Sequence, residues 1–168
     1  DSIIFQGGLH TSGYIYNWGG IKLNNVTNET VFDYVRISDG FNEGDGGCMN
    51  LVNSEPILSN MLISRCEITH MFAECKGGAI AIFSNSNPII SNVSIKKIRS
   101  EGCMGGSGIA IVSSAATITD LTVTEAGGES LILLESGNIT ANNLTLKYNN
   151  VNSIITAYDS NLDLNNIE

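Results

Sequence analysis

The sequence is poor in aromatic residues and in positive charge, and both shortages narrow what the chain can be. Aromatic residues make up 7% of the 168 positions, with a single tryptophan, so a core must be built from stacked aliphatic side chains. The chain has 8 lysines and arginines against 17 aspartates and glutamates, for a formal net charge of −9. A nucleic-acid-binding surface needs a basic stripe, so we expect no nucleic-acid partner. The local basic run Lys96-Lys97-Ile98-Arg99 is interpreted as a solvated loop rather than an anion site.

Long apolar runs, histidine pairs and closely spaced cysteines are also missing. No apolar run reaches the ~18 residues of a membrane-spanning helix, so we expect no membrane span. His10 and His70 are isolated, without an acidic residue at ligand spacing, and no C-x-x-C motif occurs. We therefore expect no metal site and no cofactor. The chain begins at Asp1 with neither an initiator methionine nor a signal peptide, which indicates a processed mature chain or a piece of a longer one.

The sequence does contain an internal repeat, with a period of 22 to 31 residues. Its clearest copy, 77–95, consists of a glycine pair, a short apolar strand, a polar turn, and two brief strands joined at an asparagine. Coils of this length are typical of a solenoid, in which each coil packs only on its neighbours. We expect a partial coil or cap over 1–18 and solenoid coils over 19–168. The coils are predicted to begin near Gly19, Gly46, Gly77, Gly105, Gly127 and Asn150.

The segments between the glycine pairs predict strands, because they are rich in β-branched residues, alternate with period two and show no helical period. The alternation changes parity between Ile90 and Val93, because two residues separate these apolar positions instead of one. A bend at Asn92 restores both side chains to the interior, and asparagine tolerates the left-handed backbone that such a bend needs. The bend position recurs in every copy, at Tyr34, Asn60, Asn92, Asp120, Asn143 and Asn166.

A three-sided coil follows from this pattern. It has a first strand after the glycines, a polar turn, a second strand, the asparagine bend, a third strand and a long variable loop. Stacked coils lie ~4.8 Å apart, so about six of them would form a rod on the order of 30 Å long. The sequence predicts an all-β parallel β-helix.

Two short units in the clearest copy carry a resemblance to known proteins. Gly77-Gly78-Ala79-Ile80 and Phe83-Ser84-Asn85-Ser86 look like the repeats of polymorphic outer-membrane proteins and related surface proteins of bacteria and protists. More broadly, 19–168 resembles the right-handed parallel β-helix superfamily that includes pectate lyases and autotransporter passengers. The resemblance implies a right-handed, single-stranded parallel β-helix. It implies no single function, because this fold hosts adhesins, enzymes and structural fibres alike.

The four cysteines are interpreted as structural. Cys75 and Cys103 each stand two residues before a glycine pair, so they occupy the same position one coil apart, within the Cα range of a disulfide. Cys48 and Cys66 would then pair within the second coil. Four cysteines allow three connectivities, so the other two pairings stay open.

Five N-x-S/T sequons occur, and together with the cysteines they favour a secreted protein from an oxidising compartment. We expect covalent N-glycans on some of these asparagines. Two expectations conflict at Asn92, which is both a bend residue and a sequon asparagine. If the bend asparagines formed a ladder that pointed inward, Asn92 would be buried and could not carry a glycan. The candidate glycosylation sites are Asn25, Asn28, Asn92, Asn138 and Asn143.

Polysaccharide cleavage would require acidic residues in a particular arrangement. Hydrolysis needs two carboxyl groups close together on one face, which in a β-helix means aligned acids on adjacent coils. The aligned acids are few: Asp33 lies under Ser91, and Asp120 lies under two asparagine bends. The local cluster of acids is interpreted as a solvated acidic turn rather than a calcium site. It comprises Asp39, Glu43 and Asp45, with Arg36 close in sequence.

These observations predict a non-enzymatic, extracellular, glycosylated rod with a structural or adhesive role on a cell surface. Unpaired strand edges at the ends of such a rod invite another chain to pair, and head-to-tail stacking would propagate as an open filament. We therefore expect end-to-end self-association. The alternative is a β-helix that binds or cleaves an extracellular polysaccharide or another surface ligand.

Overall fold

The computed structural model describes residues 2–9, 15–16, 18–69, 75–103 and 105–168, and within these parts the regular structure is entirely β-strand. Among the described residues no helix is long and apolar enough to cross a membrane. The strands are β1 (Ile3–Gln6), β2 (Gly8–Leu9), β3 (Ile15–Tyr16), β4 (Ile21–Asn24), β5 (Val31–Asp33), β6 (Val35–Ser38), β7 (Phe41–Asn42), β8 (Met49–Val52), β9 (Ile57–Ser64), β10 (Glu67–Thr69), β11 (Ile80–Phe83), β12 (Ile89–Glu101), β13 (Ile109–Val112), β14 (Ala115–Glu135), β15 (Asn138–Lys147), β16 (Asn150–Tyr158) and β17 (Asn161–Ile167).

The strands form a parallel β-solenoid of about five turns, which confirms the predicted fold class. Apart from the separate antiparallel pair β2–β3, the strands pair in parallel with the equivalent strands of neighbouring turns, as Ile80 does with both Met49 and Ile109. The prediction from the sequence is about six coils, because that number includes the partial copy of the repeat at the end of the chain. That copy has a first strand in β16 and a second strand in β17, and only Ile167 pairs with the third strand of the preceding turn.

Each complete turn has four strands, one more than the sequence predicts. In the turn that begins with β11, the second, third and fourth strands are 89–91, 93–96 and 98–101, all within β12. The fourth strand stacks on its equivalents, since Glu67 pairs with both Phe41 and Arg99. The interpretation of 96–99 as a loop is therefore wrong, because this segment hydrogen-bonds to strands on the neighbouring turns.

Each of the first four glycine pairs has one residue with φ near +70°, and in the fourth pair Gly105 also has a positive φ, of +136°. Gly20, Gly46, Gly77 and Gly106 have φ values of +74°, +71°, +75° and +68°. The fifth pair is placed differently, because Gly127 pairs with Arg99 and Asn150 in the fourth-strand stack. The first strand of that turn follows a few residues later within β14.

The N-terminal strand stacks on the first complete turn. β1 pairs in parallel with β6, the third strand of the first complete turn. Trp18 fixes the adjoining segment, because its indole N–H donates to the Ser38 carbonyl oxygen at 2.8 Å and its ring stacks on Phe5 with centroids 6.2 Å apart.

The core is a set of aliphatic columns that run along the rod. One column, from the third strands, contains Ile37, Ile63, Ile95 and Val123, all fully buried. Burying one such side chain contributes about 1.5–3 kcal/mol. No aromatic side chain is needed at the centre, so the low aromatic content suits the architecture.

The corner between first and second strands contains a buried serine column. The Ser54 N–H donates to Ser86 Oγ at 3.0 Å, and the Ser86 N–H donates to Ser114 Oγ at 3.2 Å. These contacts satisfy backbone donors that the turn would otherwise leave unpaired. They also join three successive turns.

Candidate functional site

The six predicted bend residues form one column on the outside of the rod, which we call the bend ladder. All six have a left-handed backbone, with φ between 50° and 57°. Asn92 Nδ2 donates to Asn60 Oδ1 at 2.7 Å, Asn143 Nδ2 to Asp120 Oδ1 at 2.8 Å, and Asn166 Nδ2 to Asn143 Oδ1 at 3.1 Å. The bend ladder therefore joins turn to turn through side chains as well as through the backbone.

The bend ladder points outward, and this removes the conflict between the ladder and the glycan at Asn92. The Asn92 side chain is exposed, and an asparagine amide has two N–H groups. One can donate along the ladder while the other carries a sugar. The remaining sequon asparagines, Asn25, Asn28, Asn138 and Asn143, are also exposed, and their glycosylation stays a prediction.

Of the two acids considered for hydrolysis, Asp120 belongs to the bend ladder and Asp33 is hydrogen-bonded to it. Asp33 accepts hydrogen bonds from Asn60 Nδ2 at 2.7 Å and from Ser59 Oγ at 2.8 Å. The Asn60 bond, followed by the Ser59 bond, lowers the pKa of Asp33 below its ordinary value. Asp120 accepts from Asn143 one turn on. The arrangement uses these carboxylates as acceptors between turns.

A second column of left-handed residues follows the third strands, and we call it the charged corner. Sequence reasoning missed it because the residue types are mixed, although each lies five positions after a bend residue. Their φ values range from 54° to 61°. The charged corner comprises Asp39, Arg65, Lys97, Glu125 and Tyr148.

One ion pair in the charged corner is bidentate. Arg65 Nε lies 2.6 Å from Asp39 Oδ1, and Nη2 lies 2.8 Å from Oδ2. The Asp39 side chain is 9% exposed and that of Arg65 is 51% exposed. The Arg65 hydrogen bonds are the main cause that lowers the pKa of Asp39, and the same contact raises the pKa of Arg65.

The acidic cluster predicted as a solvated turn is divided by the structure, so that interpretation is wrong. Asp39 is buried against Arg65, whereas Asp45 accepts the Lys76 N–H at 2.7 Å on another side of the turn. Glu43 is exposed, and Arg36 lies on the outer surface of β6. Within the described ranges no group of three or more His, Cys, Asp or Glu side chains could hold a metal ion.

Asp45 and Asp39 have opposite pKa shifts, so we expect opposite effects when each becomes asparagine. Burial raises the pKa of Asp45 from its ordinary 3.8, so its ionised form costs stability above the folded pKa. Asp45→Asn should stabilise the protein at pH 7, and the gain should disappear as the pH falls below 3.8. Asp39 has a lowered pKa, so its contribution is complete above 3.8 and is lost as the pH falls through the folded value.

Urea unfolding at several pH values checks this pair. Asp39→Asn should lower the free energy of unfolding at pH 7 and flatten its decline in acid. A loss of stability at pH 7 from Asp45→Asn would contradict the expected sign.

The structure contains both disulfides of the preferred pairing. Cys48 and Cys66 join the first strand of a turn to its fourth strand, with Cα atoms 5.5 Å apart. Cys75 and Cys103 join successive turns, with Cα atoms 4.8 Å apart. His10 and His70 lie outside the described residues, so the structure places neither of them.

Comparison with protein-family models, with curated proteins and with solved structures gives no match. The family resemblance seen in the sequence thus gains support at the level of a parallel β-solenoid only.

Proposed function

We propose that the chain is a non-enzymatic rod module with a structural or adhesive role on an extracellular surface. The observation that supports this best is the direction of its polar contacts. The bend ladder, the serine column and the Cys75–Cys103 disulfide all link one turn to the next along the axis. Polar contacts that connect successive turns along the axis are suited to a rod that bears mechanical load or separates two other structures.

Two features support the extracellular location. Disulfides persist in oxidising compartments, and the described residues contain two of them. The five sequon asparagines are exposed at corners of the rod, where N-glycans would project without disturbing the stack. The proposal includes the resemblance to the right-handed parallel β-helix superfamily. It also includes the resemblance to surface proteins with repeats such as Gly77-Gly78-Ala79-Ile80.

End-to-end contacts are the second part of the proposal. At one end, Ile3 and Ile4 of β1 are 61% and 57% exposed, and at the other, Tyr158 and Leu162 are 59% and 40% exposed. Within the part of the chain that the structure describes, strands β1 and β17 each pair on one side only. A further β-solenoid turn, from this chain or from another copy, would cover these apolar edges and satisfy their backbone groups.

A proline at Ile4 tests this contact in the 168-residue chain. The Ile3 N–H donates to the Tyr34 carbonyl oxygen and the Gly7 N–H donates to the Ser38 carbonyl oxygen, so the alternating backbone directs the Ile4 N–H toward the open edge. Ile4→Pro removes that donor without removing a bond to β6. Sedimentation velocity should show concentration-dependent association of the unchanged chain and at least roughly tenfold weaker association of Ile4→Pro.

Ile4→Thr is the matched control, because threonine keeps the N–H and suits a strand. It should associate more strongly than Ile4→Pro. A chain that stays monomeric at every concentration, or equal association of the two variants, would contradict the proposed end contact.

A further inference from the structure

Positive charge on this acidic rod is concentrated in one region, which we call the basic patch. It contains five of the eight lysines and arginines of the chain. These residues lie on the third strands, at the charged corner and on the fourth strand of neighbouring turns. The basic patch comprises Arg36, Arg65, Lys96, Lys97 and Arg99.

A groove of about 240 Å³ crosses one side of the basic patch. Arg36, Arg65 and Lys96 line it together with hydroxyl and amide side chains, including Ser64 and Gln6. No carboxylate among the described residues forms an ion pair with Arg36 or Lys96. Two cationic groups of this groove are thus not neutralised by the rest of the described structure.

A second groove, of about 480 Å³, lies on the other side of Arg65. It is lined by Arg65, Lys97 and Arg99 together with the acids Asp39, Glu67 and Glu125. Lys97 Nζ lies 4.0 Å from Glu125 Oε2, with both side chains more than half exposed, and an exposed pair at that distance contributes little. Because Arg65 lines both grooves, they form one surface on adjacent turns.

We propose that the basic patch binds an acidic polysaccharide. Arginine and lysine would bind its sulfate or carboxylate groups through charge-assisted hydrogen bonds. Glu67 and Glu125 would accept hydrogen bonds from its hydroxyl groups. An anionic polymer without hydroxyl groups could not donate these hydrogen bonds. Each groove is lined by residues from successive turns, which lie ~4.8 Å apart, so a linear polymer with repeated charges fits the arrangement.

The charge on the rest of the rod favours a polysaccharide over a nucleic acid. Double-stranded DNA carries one negative charge per ~1.7 Å of axis, and it would approach a chain whose total net charge is −9 even with the basic patch included. A polysaccharide with more widely spaced anionic groups meets less repulsion. This inference does not depend on end-to-end assembly.

Binding of dextran sulfate, with uncharged dextran as its match, tests the proposal by titration calorimetry of the 168-residue chain. We expect binding of dextran sulfate that weakens with added salt, and no binding of dextran. Arg36→Gln/Lys96→Gln should weaken binding by roughly tenfold or more, since neither side chain supports the fold through an ion pair. Circular dichroism would verify that this variant stays folded.

The single variants Lys96→Gln and Lys22→Gln form a charge-matched pair. Lys22 lies on β4, away from both grooves, so its loss should change affinity by less than about twofold. A titration with polygalacturonate, whose anionic groups are carboxylates, distinguishes recognition of carboxylates from recognition of the sulfates of dextran sulfate. Binding of either polymer supports the proposal. Equal loss in the two single variants, binding of neither polymer, or tighter binding of a single-stranded polynucleotide would overturn it.

Discussion

Replacing Gly77 with alanine should lower the free energy of unfolding by roughly 2–4 kcal/mol. Gly77 has a φ of +75°, a region that is strained for a residue with a Cβ. A Cβ at this position would lie 2.5 Å from the Ile80 carbonyl oxygen and 2.7 Å from Ala81 Cα. Both contacts are with backbone, so relief requires movement of the first strand itself.

Gly19→Ala is the matched control, because a Cβ there meets no atom of the described residues within 4 Å. Urea unfolding of the two variants should therefore separate a large loss at Gly77 from a change below about 1 kcal/mol at Gly19. Equal losses would contradict the close packing of the glycine turn on its own first strand.

Truncating the middle of the third-strand column should have a comparable effect. Ile95 is fully buried between Ile63 and Val123 on the neighbouring turns. Ile95→Ala leaves a cavity that stacked strands cannot collapse freely, and we expect a loss of about 2–5 kcal/mol. In a solenoid each turn relies on its neighbours, so a cavity in the middle affects both sides of the stack.

Ile89, on the same strand, offers a control of identical chemistry. Its side chain points outward and is 47% exposed, so Ile89→Ala should cost less than about 1 kcal/mol. The comparison uses equilibrium unfolding in urea with circular dichroism. A loss at Ile89 as large as that at Ile95 would show that the faces of β12 are assigned incorrectly.

The asparagine bend was predictable because two independent signals coincide there. The apolar alternation changes parity around Asn92, and asparagine is a residue that tolerates the left-handed backbone. The charged corner carries neither signal. Arg65, Lys97 and Glu125 have no special preference for that conformation, so only their constant spacing from the bend residues indicates the corner.

The surface chemistry was less predictable than the fold. The sequence places Asp39 and Asp45 six residues apart, but the charged corner turns the chain between them. One carboxylate is then buried against Arg65 and the other contacts Lys76. Likewise, 96–99 is polar enough to suggest a loop, whereas its backbone pairs with neighbouring turns. Contacts between turns decide both outcomes, and a single-sequence pattern does not contain them.

The axial rise of assembled copies tests the structural role most directly. About five turns at ~4.8 Å per turn amount to roughly 25 Å per copy when copies stack end to end in register. Cryo-electron microscopy of the concentrated 168-residue chain should show filaments with a subunit rise close to that length and strands perpendicular to the axis. Dispersed monomers, or filaments whose rise does not match a whole number of turns, would contradict a rod module that assembles through its ends.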